Sequence, residues 1–255
     1  MVRKALIVAV NAYPAPHERL SCLNDAVDLQ ATLQNTRGFT SFVTLLDGAA
    51  TRSAILAQLQ ALVSGAVSGD SIMAAFLGHG TPGSGICPVD TDMITGENII
   101  WDHEIAEILA DKPMGVKLDV LLGCCYSSTG TRSIAEELPH VGKLQKFEER
   151  MPKATQLKRV EPVVFQDARQ NESRVIVGMN HCLFAASSGL AYDCISGGLY
   201  RGLHTVWWCY TVRNALTWTR AQIHSYVAEK VKISAPTQDP RVEGNSSKLA
   251  LPPFT

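Results

Sequence analysis

Four short, mostly apolar runs occur in the first half of the chain, and stretches with helical periodicity separate them. The runs are ALIVAV (5–10), GFTSFVTLL (38–46), SIMAAFL (71–77) and VKLDVLL (116–122). Apolar runs of this length, rich in β-branched residues, are typical of strands that are covered on both faces of a sheet. We therefore predict four strands in this part of the chain.

Between these runs, apolar residues recur every three to four positions, which predicts amphipathic helices. Ser21 and Thr51 precede the first two helices as candidate N-caps, and a third helix is predicted from about Asp102 to Ala110. The inward-facing positions of the first two helices are Cys22, Ala26, Leu29, Leu33, Ile55, Leu59, Leu62 and Ala66. Because strands that alternate with helices form right-handed βαβ units, we predict an α/β fold. Its mostly parallel central sheet should have about six strands, with helices on both faces.

The regular pattern weakens after residue 131. Residues 142–162 contain six Lys or Arg and two Pro, which favours a solvated, flexible insert, part of which could form a short exposed helix. A further strand is expected at RVIVGM (174–179) or at CLFAAS (182–187).

Two more helices are predicted near the end of the chain, and turns follow them. The helical segments are GGLYRGLHTVWWCYTV (197–212) and TWTRAQIHSYVAEKV (217–231). The two tryptophans of the first segment, Trp207 and Trp208, are expected in the core or at an interface. The tail from Pro236 onward is rich in turn-forming residues and should end the domain.

The charge and the cysteine content of the chain exclude several classes of function. The 255-residue chain has a formal net charge of −1 and 18% charged residues, so neither nucleic acid nor a membrane surface is an expected partner. No segment approaches the ~18 apolar residues of a membrane span. The seven cysteines are scattered and include no CxxC pair, so the sequence signals neither a zinc ribbon nor a disulfide framework. A reduced, cytoplasmic protein is expected.

Two reactive side chains follow the ends of predicted parallel strands. His79 lies two residues beyond SIMAAFL, and Cys125 lies three residues beyond VKLDVLL. Ligands bind at the carboxyl ends of the strands in such sheets, so both residues should reach one cleft. An imidazole can deprotonate a thiol for attack on a carbonyl, and the backbone N–H groups of Gly80 and Cys125 could form an oxyanion hole.

The two adjacent cysteines also have a purely structural interpretation. Free cysteine is frequently a small buried core residue, so Cys124 and Cys125 could serve packing alone. Neighbouring side chains at a strand end point in opposite directions, so only one of the two thiols is expected to face the cleft.

Several segments together resemble the caspase-like cysteine peptidases (clan CD, family C14), and among these the metacaspases and their bacterial relatives, the orthocaspases. In chain order the segments are KALIVAVNAYP, LSCLNDAVDL, SIMAAFLGHGT, CPVDT, LLGCCYSSTG and PTQDPRVEG. The second is similar to the family's GCxNDA element, the third to its SGHG motif, and the fifth to DxCHSG. His79 lies 46 residues before Cys125, close to the roughly 50 expected for caspase-type enzymes.

The resemblance implies a caspase-like three-layer sandwich and a cysteine endopeptidase. His79 would be the general base, Cys125 the nucleophile, and Gly80 and Cys125 would supply the oxyanion hole. Cys124 then occupies the variable position of DxC. The substrate would be a protein or peptide, no cofactor would be needed, and the enzyme would act in a regulated cell-death or defence pathway.

The resemblance also divides the chain into three parts. Residues 1–133 would form the large-subunit (p20-like) part with the dyad, residues 134–173 a flexible linker, and residues 174–255 the small-subunit (p10-like) part of the same fold. The basic residues from Lys143 to Arg159 are candidate sites at which an upstream protease or regulator matures a zymogen. A solubilising loop without that role is the alternative.

Three departures from the family pattern concern the residues around the dyad. Leu77 replaces the serine of SGHG, Gly123 the aspartate of DxCHSG, and Tyr126 the histidine after the nucleophile. They favour an alternative function, a catalytically silent adaptor or regulator that binds partner proteins. A nucleotide-binding protein is a third alternative, but the chain has no P-loop.

The family serine and aspartate help to form an acidic pocket for an Arg or Lys at P1, the residue before the scissile bond. Asp25 and Cys22 remain from that set, so we expect them to bind substrate and to favour a basic P1 residue. Asp193 could compensate for the missing carboxylate.

Calcium is not expected as a cofactor. Many metacaspases bind calcium through several aspartates near the cleft. By the resemblance, only Asp102 matches one of these aspartates in this chain. His103 replaces the next one, and Arg132 falls where another would lie.

Overall fold

A six-stranded sheet forms the centre of the molecule. The computed structural model describes residues 1–14, 20–82, 85–125, 157–159, 181–244 and 246–255. The strands are β1 (Arg3–Ala9), β2 (Ser41–Leu46), β3 (Ser71–Leu77), β4 (Gly80–Thr81), β5 (Gly85–Ile86), β6 (Ile100–Trp101), β7 (Lys117–Gly123), β8 (Leu157–Arg159), β9 (Cys182–Ala185), β10 (Tyr192–Ser196), β11 (Leu199–Gly202) and β12 (Arg241–Glu243). The helices are α1 (Cys22–Arg37), α2 (Arg52–Ser64), α3 (Asp102–Ala110), α4 (Leu203–Asn214), α5 (Arg220–Ser234) and α6 (Ser246–Leu249), with a 3₁₀ turn at Asp47–Ala49.

The strand order of the central sheet is β12-β9-β7-β3-β1-β2, and only the β12–β9 pair is antiparallel. The chain passes from β1 to β2 in one direction and returns past β1 to β3 in the other. Right-handed crossovers therefore place α1 and α2 on opposite faces of the sheet. The predicted α/β fold with a mostly parallel six-stranded sheet is confirmed.

Burial explains the continuous apolar run of β3, whereas β2 is not covered on both faces as its sequence predicts. Every residue of β3 is buried, as a continuous apolar run at the centre of a parallel sheet requires. Strand β2 lies at the sheet edge and is largely exposed. Thr51 caps α2 as predicted, because its hydroxyl accepts a hydrogen bond from the Ala54 N–H at 3.3 Å. Ser21 occupies the N-cap position of α1, but its side chain makes no capping hydrogen bond.

The C-terminal part of the chain contains strands that the sequence did not predict. Residues 199–202 form β11 and not the first turn of a helix, since Gly197 and Gly198 adopt positive φ angles of 60° and 80° and turn the chain into a hairpin with β10. The turn-rich tail contributes β12, an antiparallel edge strand beside β9. Within the insert, Leu157–Arg159 pair with β10, whereas a solvated segment or a short exposed helix was expected. RVIVGM lies outside the described residues, and CLFAAS contains β9.

A buried ion pair fixes the tail against the central sheet. Arg220 of α5 donates from Nε and Nη2 to the two carboxylate oxygens of Asp119 in β7, at 2.5 and 2.8 Å. Asp119 also accepts the Phe254 N–H at 3.0 Å, and Arg220 donates to the Pro252 carbonyl at 2.8 Å. The strand that leads to Cys125 is thereby bound to both α5 and the C-terminal residues.

Candidate active site

The predicted reactive pair lies at one edge of the central sheet. Leu77 at the end of β3 is in register with Gly123 at the end of β7, and His79 and Cys125 each follow two residues later. Both side chains are buried, with 3% and 0% of their surface exposed. The topology therefore brings the loops that carry His79 and Cys125 to neighbouring positions at the carboxyl ends of adjacent strands. His79 lines a pocket together with Cys124, whereas Cys125 lines another pocket that His79 does not border.

Gly80 allows the two loops to approach closely. A Cβ atom at this position would lie 2.1 Å from the backbone oxygen of Cys125 and 3.3 Å from the Cβ of Cys124. Real Cβ atoms do not make contacts as short as the first one, so only glycine fits here. The residue after His79 thus packs directly on the backbone of the cysteine pair.

Tyr13 holds the backbone of His79 in place. Its hydroxyl accepts a hydrogen bond from the His79 N–H at 2.9 Å and donates one to the Cys87 carbonyl at 2.7 Å. The phenol ring lies 4.5 Å from the imidazole, centroid to centroid. Burial raises the pKa of Tyr13 well above its usual range, so the hydroxyl stays a donor. Sequence reasoning did not single out Tyr13, which lies just after β1 without a periodic signal.

The sulfur of Cys125 is bound by the backbone of the C-terminal part. Its Sγ accepts a hydrogen bond from the Ala191 N–H at 3.2 Å, just before β10. A backbone N–H aimed at sulfur stabilises the thiolate more than the thiol. This contact joins the end of β7 to the start of the β10–β11 hairpin.

Burial dominates the ionisation of the other two thiols near the site. Burial first, and then the charge of Cys125, raises the pKa of Cys124 well above its usual range, and burial raises that of Cys87 to about 12. Buried thiols of high pKa are inert. Cys124 and Cys125 both border the cleft, and Cys124 also borders a second pocket together with His79 and Tyr13.

The cleft beside Cys125 is narrow, with about 10 Å³ of space for the centre of a water-sized sphere. Cys22, Asp193, His204 and Thr205 line it together with the cysteine pair. Asp25 lies behind Gly202, another lining residue, and both of its carboxylate oxygens accept the Gly202 N–H, at 3.0 and 2.9 Å. The predicted substrate residues Cys22 and Asp25 are therefore adjacent to the cleft.

Burial and a neighbouring carboxylate control the ionisation of Asp25. Burial, followed by the charge of Asp193, raises the pKa of Asp25 well above its usual range, against the opposing effects of the Gly202 hydrogen bond and Arg201. The same two causes raise the pKa of the Cys22 thiol. Two carboxylates thus share one buried region next to the cleft.

Leu77 and Gly123 depart from the family pattern as a matched pair. A Cβ at position 123 would lie 2.6 Å from the Leu77 Cδ2 and 3.2 Å from the Thr205 Oγ1. Leu77 therefore fills the space that a larger residue at position 123 would need. Gly123 and Thr205 line the cleft, and Leu77 packs against Gly123. Tyr126 lies outside the described residues.

Two of the three positions considered for calcium, Asp102 and His103, lie at the start of α3. No group of three or more His, Cys, Asp or Glu side chains among the described residues could hold a metal ion. Asp102 begins α3, and its carboxylate lies 4.0 Å from the His103 Nδ1, while Arg132 falls outside the described ranges.

Among the residues that the structure describes, no helix has the length and apolarity needed to cross a membrane.

The fold and the paired His and Cys loops define a caspase-like cysteine peptidase domain. The family model for the metacaspase, peptidase C14 domain matches residues 3–132. The chain belongs to this family, whose members are cysteine-type endopeptidases.

Several metacaspases match the chain over part of their length. Metacaspase-1B of Aspergillus fumigatus is 29% identical over 166 residues, covering 56% of this chain and 38% of that protein. Metacaspase-3 of Trypanosoma cruzi is 27% identical, covering 56% of this chain and 48% of that protein. Metacaspase-1 of Scheffersomyces stipitis is 31% identical, covering 54% and 38%. The alignments thus span less than half of each relative.

A solved structure supports the fold over the whole chain. The crystal structure of protein GSU0716 from Geobacter sulfurreducens superposes with a TM-score of 0.63, covering 100% of this chain and 99% of that one. The sequence identity is 19%, so the likeness concerns the fold alone.

We predict that a histidine of the cleft makes the fold sensitive to acid. Burial lowers the pKa of His204 from 6.5 to about 3, so the unfolded chain binds a proton below pH 6.5 that the folded chain does not. Stability from His204 is therefore complete above pH 6.5 and falls as the pH decreases, by about 1.4 kcal/mol per unit. Urea denaturation at pH 7.5 and pH 5 should show a loss of roughly 2 kcal/mol that His204→Gln lacks. Equal losses in the two proteins would contradict the prediction.

Proposed function

We propose that this chain is an active cysteine endopeptidase in which Cys125 is the nucleophile and His79 the general base. The observation that supports the proposal most is the close packing of the two loops, with Gly80 pressed against the backbone of Cys125.

The proposed reaction has two stages. His79 takes the proton of the Cys125 thiol, and the sulfur attacks the carbonyl carbon of the scissile bond. The N–H groups of Gly80 and Cys125 hold the oxyanion. The C–N bond breaks, His79 donates the proton to the leaving amine, and a thioester remains. A water molecule, deprotonated by His79, then hydrolyses the thioester and releases the thiol.

We propose Arg or Lys as the P1 residue of a protein or peptide substrate. The buried carboxylates of Asp25 and Asp193 beside the cleft support this preference, since a cation compensates buried negative charge. Cys22 lines the same cleft and would contact the substrate side chain.

Activation by cleavage between residues 134 and 173 is part of the proposal. Cys125 is fully buried in the uncleaved chain, which supports a zymogen that an upstream protease or regulator matures. Lys158 and Arg159 lie in β8, which pairs with β10 next to Asp193. We further propose the division at these boundaries into p20-like and p10-like parts, calcium independence, a cytoplasmic location and a role in regulated cell death or defence, with neither nucleic acid nor membrane as partner.

A silent adaptor is the alternative function. The replacement of the family's serine and aspartate by Leu77 and Gly123 favours it, because neither residue has a polar side chain. An adaptor would bind partner proteins and hydrolyse none.

Hydrolysis of fluorogenic peptides ending in Arg, Lys or Asp tests the proposal. The protein is assayed before and after limited cleavage within 134–173, with and without calcium. We expect turnover after Arg or Lys that Cys125→Ala and His79→Ala each reduce by at least ~10³-fold, whereas Cys124→Ala, the matched control, retains it. If the cleaved protein hydrolyses none of the peptides, the adaptor function is favoured. If Cys124→Ala loses as much activity as Cys125→Ala, the assignment of Cys125 as the nucleophile is refuted.

A further inference from the structure

Tyr13 closes a circuit of three hydrogen bonds around His79. The His79 N–H donates to the Tyr13 hydroxyl at 2.9 Å, and that hydroxyl donates to the Cys87 carbonyl at 2.7 Å. The Cys87 N–H donates in turn to the His79 carbonyl at 3.0 Å. Both backbone polar groups of His79 are therefore bound, and the side chain of Tyr13 completes the arrangement.

The ring of Tyr13 also lies against the imidazole. The two ring centroids are 4.5 Å apart and the ring planes are inclined by 51°, a separation at which aromatic rings attract each other. Gly78 permits this approach, because a Cβ at that position would lie 2.5 Å from the Tyr13 hydroxyl oxygen. One buried side chain thus binds the backbone of His79 and packs on its ring.

The loop that carries Tyr13 is anchored at two points. The Asp47 carboxylate accepts the N–H groups of Asn11 and Ala12, at 2.7 and 2.9 Å. The side-chain oxygen of Asn11 accepts the Leu23 N–H of α1 at 3.0 Å. Asp47 has a positive φ of 44°, and such strained backbone is found most often near functional sites. These anchors keep Tyr13 at its place against His79.

Tyr13 is placed to act through His79 and not on a substrate. It borders the pocket that His79 and Cys124 line, and it is not among the described residues that line the cleft beside Cys125. Any effect of Tyr13 on the chemistry must therefore pass through the position of the imidazole.

We propose that Tyr13 is a positioning residue that holds the imidazole of His79 in its productive orientation, and that Asp47 anchors the loop of Tyr13 for this task. The inference rests on the proposed function and deepens it. The imidazole has to take the Cys125 proton and later deliver it to the leaving amine, so a small displacement impairs both transfers. Misplacement of reacting groups by about 1 Å costs about 10²-fold in rate. Loss of the hydroxyl alone leaves the ring in contact, so its effect should be smaller.

The first arm of the test separates turnover from substrate binding. The full chain is assayed on an Arg peptide before and after limited cleavage within 134–173. Tyr13→Phe should lower kcat by about 10-fold and change KM by less than about twofold, because the interaction serves the transition state. Tyr210→Phe is the matched control, since Tyr210 of α4 packs on Trp207 with 5.8 Å between the ring centroids. A wild-type kcat in Tyr13→Phe would overturn the inference.

The second arm asks whether Tyr13 acts through the imidazole. Alkylation of Cys125 by iodoacetamide is followed by mass spectrometry. Tyr13→Phe should slow the alkylation by about 10-fold when His79 is present and should have no further effect in the His79→Ala protein. Equal slowing in the two backgrounds would reveal a purely structural role and overturn the inference.

Asp47→Gly provides a second variant in case circular dichroism shows that Tyr13→Phe does not fold. Glycine adopts a φ of 44° without strain, while the N–H groups of Asn11 and Ala12 lose their acceptor. This variant should lower kcat by about threefold at an unchanged KM, since the loop loses one of its two anchors. A wild-type kcat would overturn the proposed role of Asp47.

The two arms distinguish failure of the inference from failure of the proposed function. Alkylation of Cys125 that depends on both His79 and Tyr13, with no hydrolysis of any peptide, would support the inference and refute the endopeptidase. Hydrolysis that requires His79 but is unchanged in Tyr13→Phe would overturn the inference and leave the function standing. Alkylation that His79→Ala leaves unchanged, with no hydrolysis, would overturn both.

Discussion

Gly80→Ala should reduce peptide hydrolysis by at least ~10²-fold, although the substitution adds only a methyl group. The new Cβ would lie 2.1 Å from the Cys125 backbone oxygen, so the segment that carries the nucleophile must move away from His79. Displacements of about 1 Å at reacting atoms cost about this factor. The measurement is kcat/KM on an Arg peptide, with circular dichroism to verify the fold.

Gly48→Ala is the matched control for this prediction. A Cβ at Gly48 would meet nothing within 4 Å, and its φ lies outside the positive range. The control should therefore keep wild-type activity. Wild-type activity in Gly80→Ala as well would show that the two loops do not need their close packing.

Removing one partner of the buried ion pair should destabilise the protein strongly. Asp119→Asn leaves Arg220, whose side chain is 4% exposed, with an uncompensated charge beneath the central sheet. Breaking such a pair costs about 3–5 kcal/mol, which chemical denaturation would measure as a lower free energy of unfolding.

A half-exposed ion pair provides the comparison for Asp119. Asp28 pairs with Arg213, whose side chain is 34% exposed, so Asp28→Asn should cost less than about 1 kcal/mol. Equal losses of unfolding free energy in Asp119→Asn and Asp28→Asn would mean that burial does not make the Asp119–Arg220 pair more important for stability. We expect the C-terminal residues, which both partners bind, to exchange amide hydrogens faster in Asp119→Asn.

The elements that sequence analysis predicted well are those whose signal is local. Strand β3 is a seven-residue apolar run, and α3 begins at Asp102 and ends at Ala110 as predicted. Their hydrophobic pattern reports directly on burial, so neighbouring residues suffice to identify them. His79 and Cys125 were found for the same reason, because each follows a strand of this kind.

The features that were missed depend on contacts between distant residues. Strand β12 has only three residues and exists because it pairs with β9, more than fifty positions earlier. The Asp25 carboxylate accepts a hydrogen bond from Gly202, 177 residues away. No local sequence pattern predicts that contact. The turn at Gly197 and Gly198 and the strand β11 were predicted as part of a helix because they precede a helical stretch. Tertiary pairing overrides local propensity at each of these places.

The site shows the same division between local and distant information. The resemblance supplied the dyad and Asp25, while the structure added Tyr13, the N–H of Ala191 and the unpaired nitrogen of His204. These groups lie on elements that come together only in the folded chain.

The measurement that tests the central claim most directly is covalent labelling with a peptidyl chloromethyl ketone that carries Arg at P1. The protein is labelled before and after cleavage between Lys143 and Arg159, and peptide mapping by mass spectrometry locates the adduct. We predict an adduct on Cys125 that is retained in Cys124→Ala and slowed by at least ~10²-fold in His79→Ala. An adduct on Cys124, or labelling of Cys125 at the same rate without the imidazole, would contradict a Cys125/His79 peptidase.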